Sequence, residues 1–226
     1  MQTPNSSNAP GGTSAIKVTK GEETRASILD AAVRLAATDG FAALTIGVLA
    51  TKTGMSKSGL FAHFGSKEDL QIATLEEATR LYNEVAFLPA LRAPRGLKRL
   101  EALAENWLLW TERSALQACP MMAALAEFDD KPGAVRDALL HQMQRMNDEI
   151  IRAVKLTIDS GEFAAETDPA QFAFEMFGIV ATCYRSRSLF QDPKANDRAR
   201  IAFRRLISAS LSDTASVRST PTSPTH

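Results

Sequence analysis

Apolar residues recur along this chain at the three- and four-residue spacing of amphipathic helices, from about residue 21 to residue 211. No segment sustains the two-residue alternation of a half-buried strand. The pattern predicts an all-α protein of about nine helices, four short ones at the N-terminus and five in a larger C-terminal helical bundle. Ile28, Ala32, Leu35 and Ala36 stripe a first helix from about Gly21 to Asp39, with Gly40 as its stop and Phe41 folded back on the stripe. Ile46, Leu49 and Ala50 share one face of a second helix that Gly54 ends, and Ser56 is placed to cap a third. Ser66, with Asp69 three residues later, starts a fourth, through which Leu70, Ala73, Leu81 and Val85 keep a helical spacing. Pro89, Pro94 and Gly96 break the pattern and predict a connection.

Past the break, helices are expected from Leu97 to about Arg113, over Pro120 to Phe128, and from Gly133 to about Ser160, where Gly161 ends the third. Asp168–Pro169, with Gln171 at the third helical position, begins the next, and Asp192–Pro193 repeats the device before the last. Residues 1–20 and 212–226 are rich in Ser, Thr and Pro and poor in large apolar residues, so they read as a disordered arm and tail. A small N-terminal unit over 21–66 and a second domain over 67–211 remain.

Charge narrows the function. The chain has 226 residues with 26 basic and 26 acidic side chains, so any nucleic-acid contact has to come from a local patch. Thr51 to Lys67 is the best such patch, with three lysines, one histidine and no acid. Cys119 and Cys183 lack CxxC spacing and His63, His141 and His226 are scattered, which argues against a disulfide framework and a metal module. Arg185 and Arg187 flank Cys183 closely enough to keep a redox role for it open. Glu127, Asp129 and Asp130 read as acids that cap a helix and solvate a loop. There is no nucleophile–base pair, metal-spaced cluster or Gly-rich phosphate loop, so neither enzyme chemistry nor a cofactor is expected. No apolar run reaches roughly 18 residues and no apolar signal core is present, so a cytoplasmic protein without a membrane segment is expected.

The stretch from Leu44 to Leu70 carries the chemistry. Ala50 and Gly54 stand four apart, the spacing at which two short helices need a small residue for contact and a glycine for the turn between them. Met55 and Leu60 point to the core, leaving Lys57, Ser58, Phe61, Ala62 and His63 outward. A short helix with hydroxyls and lysines at its start and no opposing carboxylate suits phosphates and base edges in a major groove.

The order Gly40–Phe41, Leu44–Thr45, Leu49–Ala50, Gly54–Met55–Ser56, Gly59–Leu60–Phe61, His63–Phe64 and Lys67–Glu68–Asp69–Leu70 resembles the TetR family of transcriptional regulators. The motif match lies within Arg25 to Leu70, and the remainder resembles the family in layout. The resemblance implies a three-helix DNA-binding domain with a helix-turn-helix, joined by a fourth helix to a ligand-binding and dimerisation domain. It implies a homodimer on a double-stranded DNA operator, released by a small-molecule ligand. By this resemblance Thr45 meets a phosphate at the start of the second helix, Ser56 and Lys57 open the recognition helix, Ser58 and Gly59 lie near base edges, and His63 and Lys67 meet phosphates. Two residues depart from the pattern. Phe61 replaces the usual tyrosine, so its ring is left to pack on sugar or a thymine methyl. Gly47 replaces a frequent polar reader, which shifts weight to DNA shape, with Lys17, Lys20 and Arg25 near the arm as further contacts.

Candidates for a ligand pocket are Trp107 and Trp110, Met122 and Phe128, Met143 and Met146, and Met176 and Tyr184. Methionines suit adaptable cavities and bundles build sites between helices. Phe172, Phe174, Phe177, Ile179 and Val180 carry more apolar surface than one helix face buries within a monomer. With Ala202 and Leu206 on the last helix, Phe172, Phe177 and Val180 are expected at a dimer interface. The expected function is a repressor released from a palindromic operator by a ligand. The alternative is a constitutive DNA-binding regulator with a fully packed bundle.

Overall fold

Side-chain caps set the ends of the first helices. In the computed structural model, which describes residues 19–112 and 119–212, α1 spans Lys20–Asp39. Thr19 accepts from the amide of Glu22, and the Glu22 carboxylate accepts from the Thr19 amide at 2.7 Å, a reciprocal pair that starts the helix. Residues 19 and 20 therefore belong to this helix and not to the arm; residues 1–18 and 213–226 of the expected arm and tail lie outside the described residues. The Thr45 hydroxyl caps α2 (Ile46–Thr53), Ser56 caps α3 (Lys57–Phe64), and Ser66 caps α4 (Lys67–Tyr82). Gly54 takes the left-handed conformation between α2 and α3, φ 69° and ψ 17°, where a side chain would be strained.

The helix begun as α4 does not end at the expected break. A π-turn over Asn83–Phe87 and a short α-turn over Leu88–Ala90 carry it past Pro89, and the connection begins at Leu91. The π-turn inserts one residue into the helical period and moves the buried face by one position. Val85, expected inside, is 44% exposed, and Ala86 takes its place in the core. Four further bundle helices follow the predicted order: α5 (Leu97–Glu112), α6 (Pro120–Phe128), α7 (Ala134–Asp159) and α8 (Pro169–Ser188). α9 (Ala195–Ser210) closes the fold. Among the described residues the β-pairing is limited to a single bridge, Phe163 with Leu211. Ser212 closes this end by bonding Glu162 and Gly161, so the second domain runs one residue past the expected limit.

One continuous core runs through both parts. Ile28, Leu35, Phe41, Leu44, Leu49, Leu60 and Leu70 seal the N-terminal unit, while Leu75, Leu100, Leu108, Phe163 and Met176 continue it into the bundle. Each such side chain contributes about 1.5–3 kcal/mol on leaving water. Acids from distant elements fasten the helix ends. The Glu162 carboxylate accepts from the Leu97 amide at 2.9 Å and so starts α5; a Cβ on Gly96 would stand 2.0 Å from it. The Glu105 carboxylate on α5 takes a forked pair of bonds from Arg200 on α9, the shortest 2.7 Å, and this holds its pKa below the usual carboxylate value.

The N-terminal unit is joined to the bundle by a second acid. Glu127 on α6 accepts from the amides of Phe41 and Ala42, each at 2.7 Å. Phe128 meets Phe41 edge-on, ring centroids 5.9 Å apart. From α4, Gln71 donates to the Phe41 carbonyl at 2.8 Å and Lys67 to the Ala42 carbonyl at 3.2 Å. The turn after α1 is thus held from the bundle and from α4 together. Gly40, with φ 82°, is the residue that lets the carboxylate in, since a Cβ there would lie 2.4 Å from a Glu127 oxygen.

Candidate nucleic-acid interface and ligand cavity

The proposed reading surface is built by α2 and α3. Leu49, Ala50, Leu60 and Phe64 are buried beneath it, and Met55 packs against the same core. That packing leaves Lys57, Ser58 and Phe61 exposed and His63 half-buried. The Ser56 hydroxyl accepts from the Gly59 amide at 3.1 Å and lies 3.1 Å from the Ser58 hydroxyl. A side chain at Gly59 would crowd this cap, its Cβ 3.2 Å from Ser56 Oγ. Amides of the first turn of α3 therefore point outward beside two hydroxyls and Lys57, an arrangement suited to an anion. Thr45 accepts from the Val48 amide at 3.2 Å and retains its own proton for a partner.

Several details were not readable from the motif. The Lys57 stem lies over Gly47, 3.7 Å from where a Cβ would be, so Gly47 gives the lysine a place to rest on α2. Lys67 gives one bond to the Ala42 carbonyl, and Lys52 stands 3.8 Å from Asp39. The Arg25 guanidinium lies over the Phe64 ring at 5.3 Å, which ties the start of α1 to the end of α3. Val48 joins Phe61 as an exposed apolar side chain, 41% and 51% exposed, on the two helices of the reading unit. Lys17 lies outside the described residues.

In the bundle, α4, α5, α6, α7 and α8 enclose a cavity of about 320 Å³. Five of the eight candidate residues line it: Trp107, Trp110, Met122, Met143 and Met146. Met121 joins them, and Tyr82 and Phe177, which the pattern did not single out for a pocket, complete much of the wall. A neighbouring cavity of about 450 Å³ shares Tyr82, Trp107 and Met146 and adds Met176. The other two candidates are elsewhere. Phe128 belongs to the joint with Phe41, and Tyr184 packs against the core without lining either cavity. Cys119 also lines the smaller cavity; burial pushes its thiol pKa up, opposed in part by nearby Arg187. Arg187 therefore bears on Cys119, while Cys183 is buried 3.1 Å from Asn196 Oδ1.

The expected apolar surplus on α8 is distributed differently. Phe172 and Val180 are each 3% exposed within the single chain, and Phe177 turns inward against Trp107, centroids 4.9 Å apart. Leu206 is likewise mostly buried. Phe174 is the exposed one, at 73%. The period of apolar residues marks that they are buried but not by what, and here the chain's own core takes most of them. An open groove of about 1050 Å³ nonetheless runs along α8 and α9. Its walls are Ile179, Thr182, Ala199 and Ala202, with Phe172 and Leu206 contributing to the lining.

Among the described residues no group of three or more His, Cys, Asp or Glu could hold a metal ion. None of the described helices is long and apolar enough to cross a membrane. The family model for bacterial regulatory proteins of the tetR family matches residues 28–74, and that for the tetracyclin repressor-like C-terminal domain matches residues 96–203. Solved structures share the fold. A TetR transcriptional regulator from Chloroflexus aurantiacus is 23% identical with a TM-score of 0.75, over 85% of this chain and 99% of that one. A putative transcriptional regulator from Saccharomonospora viridis, solved in complex with choline, is 20% identical with a TM-score of 0.72, over 84% of this chain and 97% of that one. AibR, solved in complex with isovaleryl coenzyme A and operator DNA, is 21% identical with a TM-score of 0.64, over 80% of this chain and 95% of that one. Comparison with curated proteins found no match.

Proposed function

The chain belongs to the TetR family of transcriptional regulators, and from that premise we propose that it is a homodimeric cytoplasmic repressor released from a palindromic operator by a small molecule. The observation that carries the reading is the pairing, in one chain, of an acid-free reading helix with an apolar cavity in the bundle. The reading helix offers Ser56, Lys57, Ser58 and exposed first-turn amides. The cavity lies in the bundle behind it, and its wall includes α6, the helix that carries Glu127 to the turn after α1. A ligand that displaces Met121 or Met122 acts on the same short helix that grips the DNA-binding unit. That supports release by ligand over a constitutive regulator, for which a fully packed bundle is expected.

Two subunits related by a twofold axis place two copies of α3 on one face of the duplex, so the operator is a palindrome with half-sites about one turn apart. The α8–α9 groove is the surface best suited to the partner, being long and open, with small residues such as Gly178, Ala199 and Ala202 between charged ones such as Glu175 and Arg205. Direct base reading rests on few side chains, so DNA shape carries part of the selectivity. Choline in one structural relative, and isovaleryl coenzyme A with operator DNA in another, are consistent with this division of labour. The test is selection of bound sequences from a random DNA pool at fixed salt. Enrichment of one palindrome supports the reading. Failure of a folded dimer to enrich any sequence overturns it.

A further inference from the structure

The smaller cavity has a chemistry of its own, and the inference drawn from it rests on the ligand-responsive reading above. Its described lining is uncharged throughout: five aromatic rings from Tyr82, Trp107, Trp110, Phe174 and Phe177, a set of methionines, and Thr111 and Cys119 as minor polar groups. Thr111 is already engaged, donating to the Leu108 carbonyl at 2.8 Å and accepting from Arg187 at 3.4 Å. Arg187 itself is not part of the lining. Trp110 is bonded to the Cys119 thiol, which burial keeps protonated.

Two donors on this wall are unpaired. Tyr82 and Trp107 are each 7% exposed, with ring centroids 6.0 Å apart. Among the described residues neither the Tyr82 hydroxyl nor the Trp107 indole N–H has a hydrogen-bond partner, and burial raises the Tyr82 pKa so that the phenol keeps its proton. Yet no fully sealed side-chain nitrogen or oxygen among the described residues lacks a partner. Neither atom is therefore fully sealed, and both residues line this cavity as well as its neighbour. An unpaired donor in an apolar enclosure is costly and calls for an acceptor; the indole can only donate.

We propose that this cavity takes a compact, uncharged, mostly apolar molecule bearing a hydrogen-bond acceptor such as a ketone or ester carbonyl, held by Tyr82 and Trp107. A carboxylate would leave its charge unpaired among these walls, and the described lining holds no acid to pair with a cation. Charged groups line the neighbouring cavity instead, where Glu76, Glu149 and Arg145 stand. The volume, about 320 Å³, sits at the lower end of small-molecule sites and limits the ligand to a compact body.

Trp107 and Trp110 are the chain's two tryptophans, so intrinsic fluorescence of the full-length protein reads this cavity directly. The probes are 2-adamantanone, adamantane, adamantane-1-carboxylate and 1-adamantyltrimethylammonium, which share one apolar body. The ketone is expected to give a saturable change, with both charged probes at least about tenfold weaker. Tyr82→Phe is expected to weaken the ketone about three- to tenfold and to leave adamantane unchanged. Trp107→Phe serves the same comparison, read by Trp110, if the first variant does not fold. Equal or tighter binding of either charged probe overturns the proposal. So does ketone affinity unchanged in both variants, or no saturable response to any probe. Binding is measured without DNA. A ketone that binds yet leaves operator affinity untouched therefore counts against ligand release and not against this assignment.

Discussion

Lys57 is the residue proposed to make most of the direct contact to DNA. It opens α3, it is exposed, and its stem is supported by the bare backbone at Gly47. Lys57→Ala is expected to weaken operator binding and to lower the salt dependence by about one ion in a titration across salt concentrations. Unchanged affinity and slope remove Lys57 from the interface. Glu105 tests a different single contact. Arg200 holds its folded-state pKa below the unfolded value, so the pair stabilises the fold above the unfolded carboxylate range, and that stability is lost as pH falls through the folded pKa. Glu105→Gln is therefore expected to lower the melting temperature at neutral pH and to match the wild type in strong acid. A difference that persists in acid means the pair acts through packing rather than charge. Thr45, Gly54, Ser56 and Ser66 were legible as caps and turn because each acts within three or four residues of itself. Glu127 and Glu162 were not, because their partners lie 86 and 65 positions away and periodicity carries no trace of such contacts.

At the scale of elements the same distinction holds. The nine helices named among the described residues announce themselves by apolar stripe, and α1 to α4 and α8 by a side-chain cap as well; the last begins at Ala195 without the cap expected from Asp192, and the π-turn after α4 has no comparable signal and exchanges Val85 for Ala86 in the core. Apolar spacing on α8 showed that Phe172 and Val180 are buried, but the neighbours that bury them come from the same chain. The joint between α6 and the turn after α1 is the element-level feature with the clearest consequence. Glu127 offers two acceptor oxygens to two amides, whereas a glutamine in its place would present one acceptor and a donor facing a donor. Glu127→Gln is expected to cost about 1–3 kcal/mol and to speed hydrogen exchange at the Phe41 and Ala42 amides, while amides within α7 keep their protection. Equal protection at those two amides in both proteins contradicts the role assigned to this joint.

For the whole molecule, the proposed function requires two copies. The lining of the groove along α8 and α9 includes Gly178, Ala199 and Ala202, small enough there for helices of a second subunit to approach closely. Sedimentation is expected to give twice the chain mass for the wild type and the single mass for Ala202→Glu at equal helix content. A monomeric wild type at micromolar concentration contradicts the dimer. The central claim is that two copies of α3 read neighbouring turns of one duplex face. Guanine N7 protection on the selected operator tests it most directly, because N7 lies in the major groove. Two protected stretches are expected, related by the palindrome's axis and centred about one helical turn apart. A single protected stretch, or an unprotected major groove under a bound protein, would contradict it.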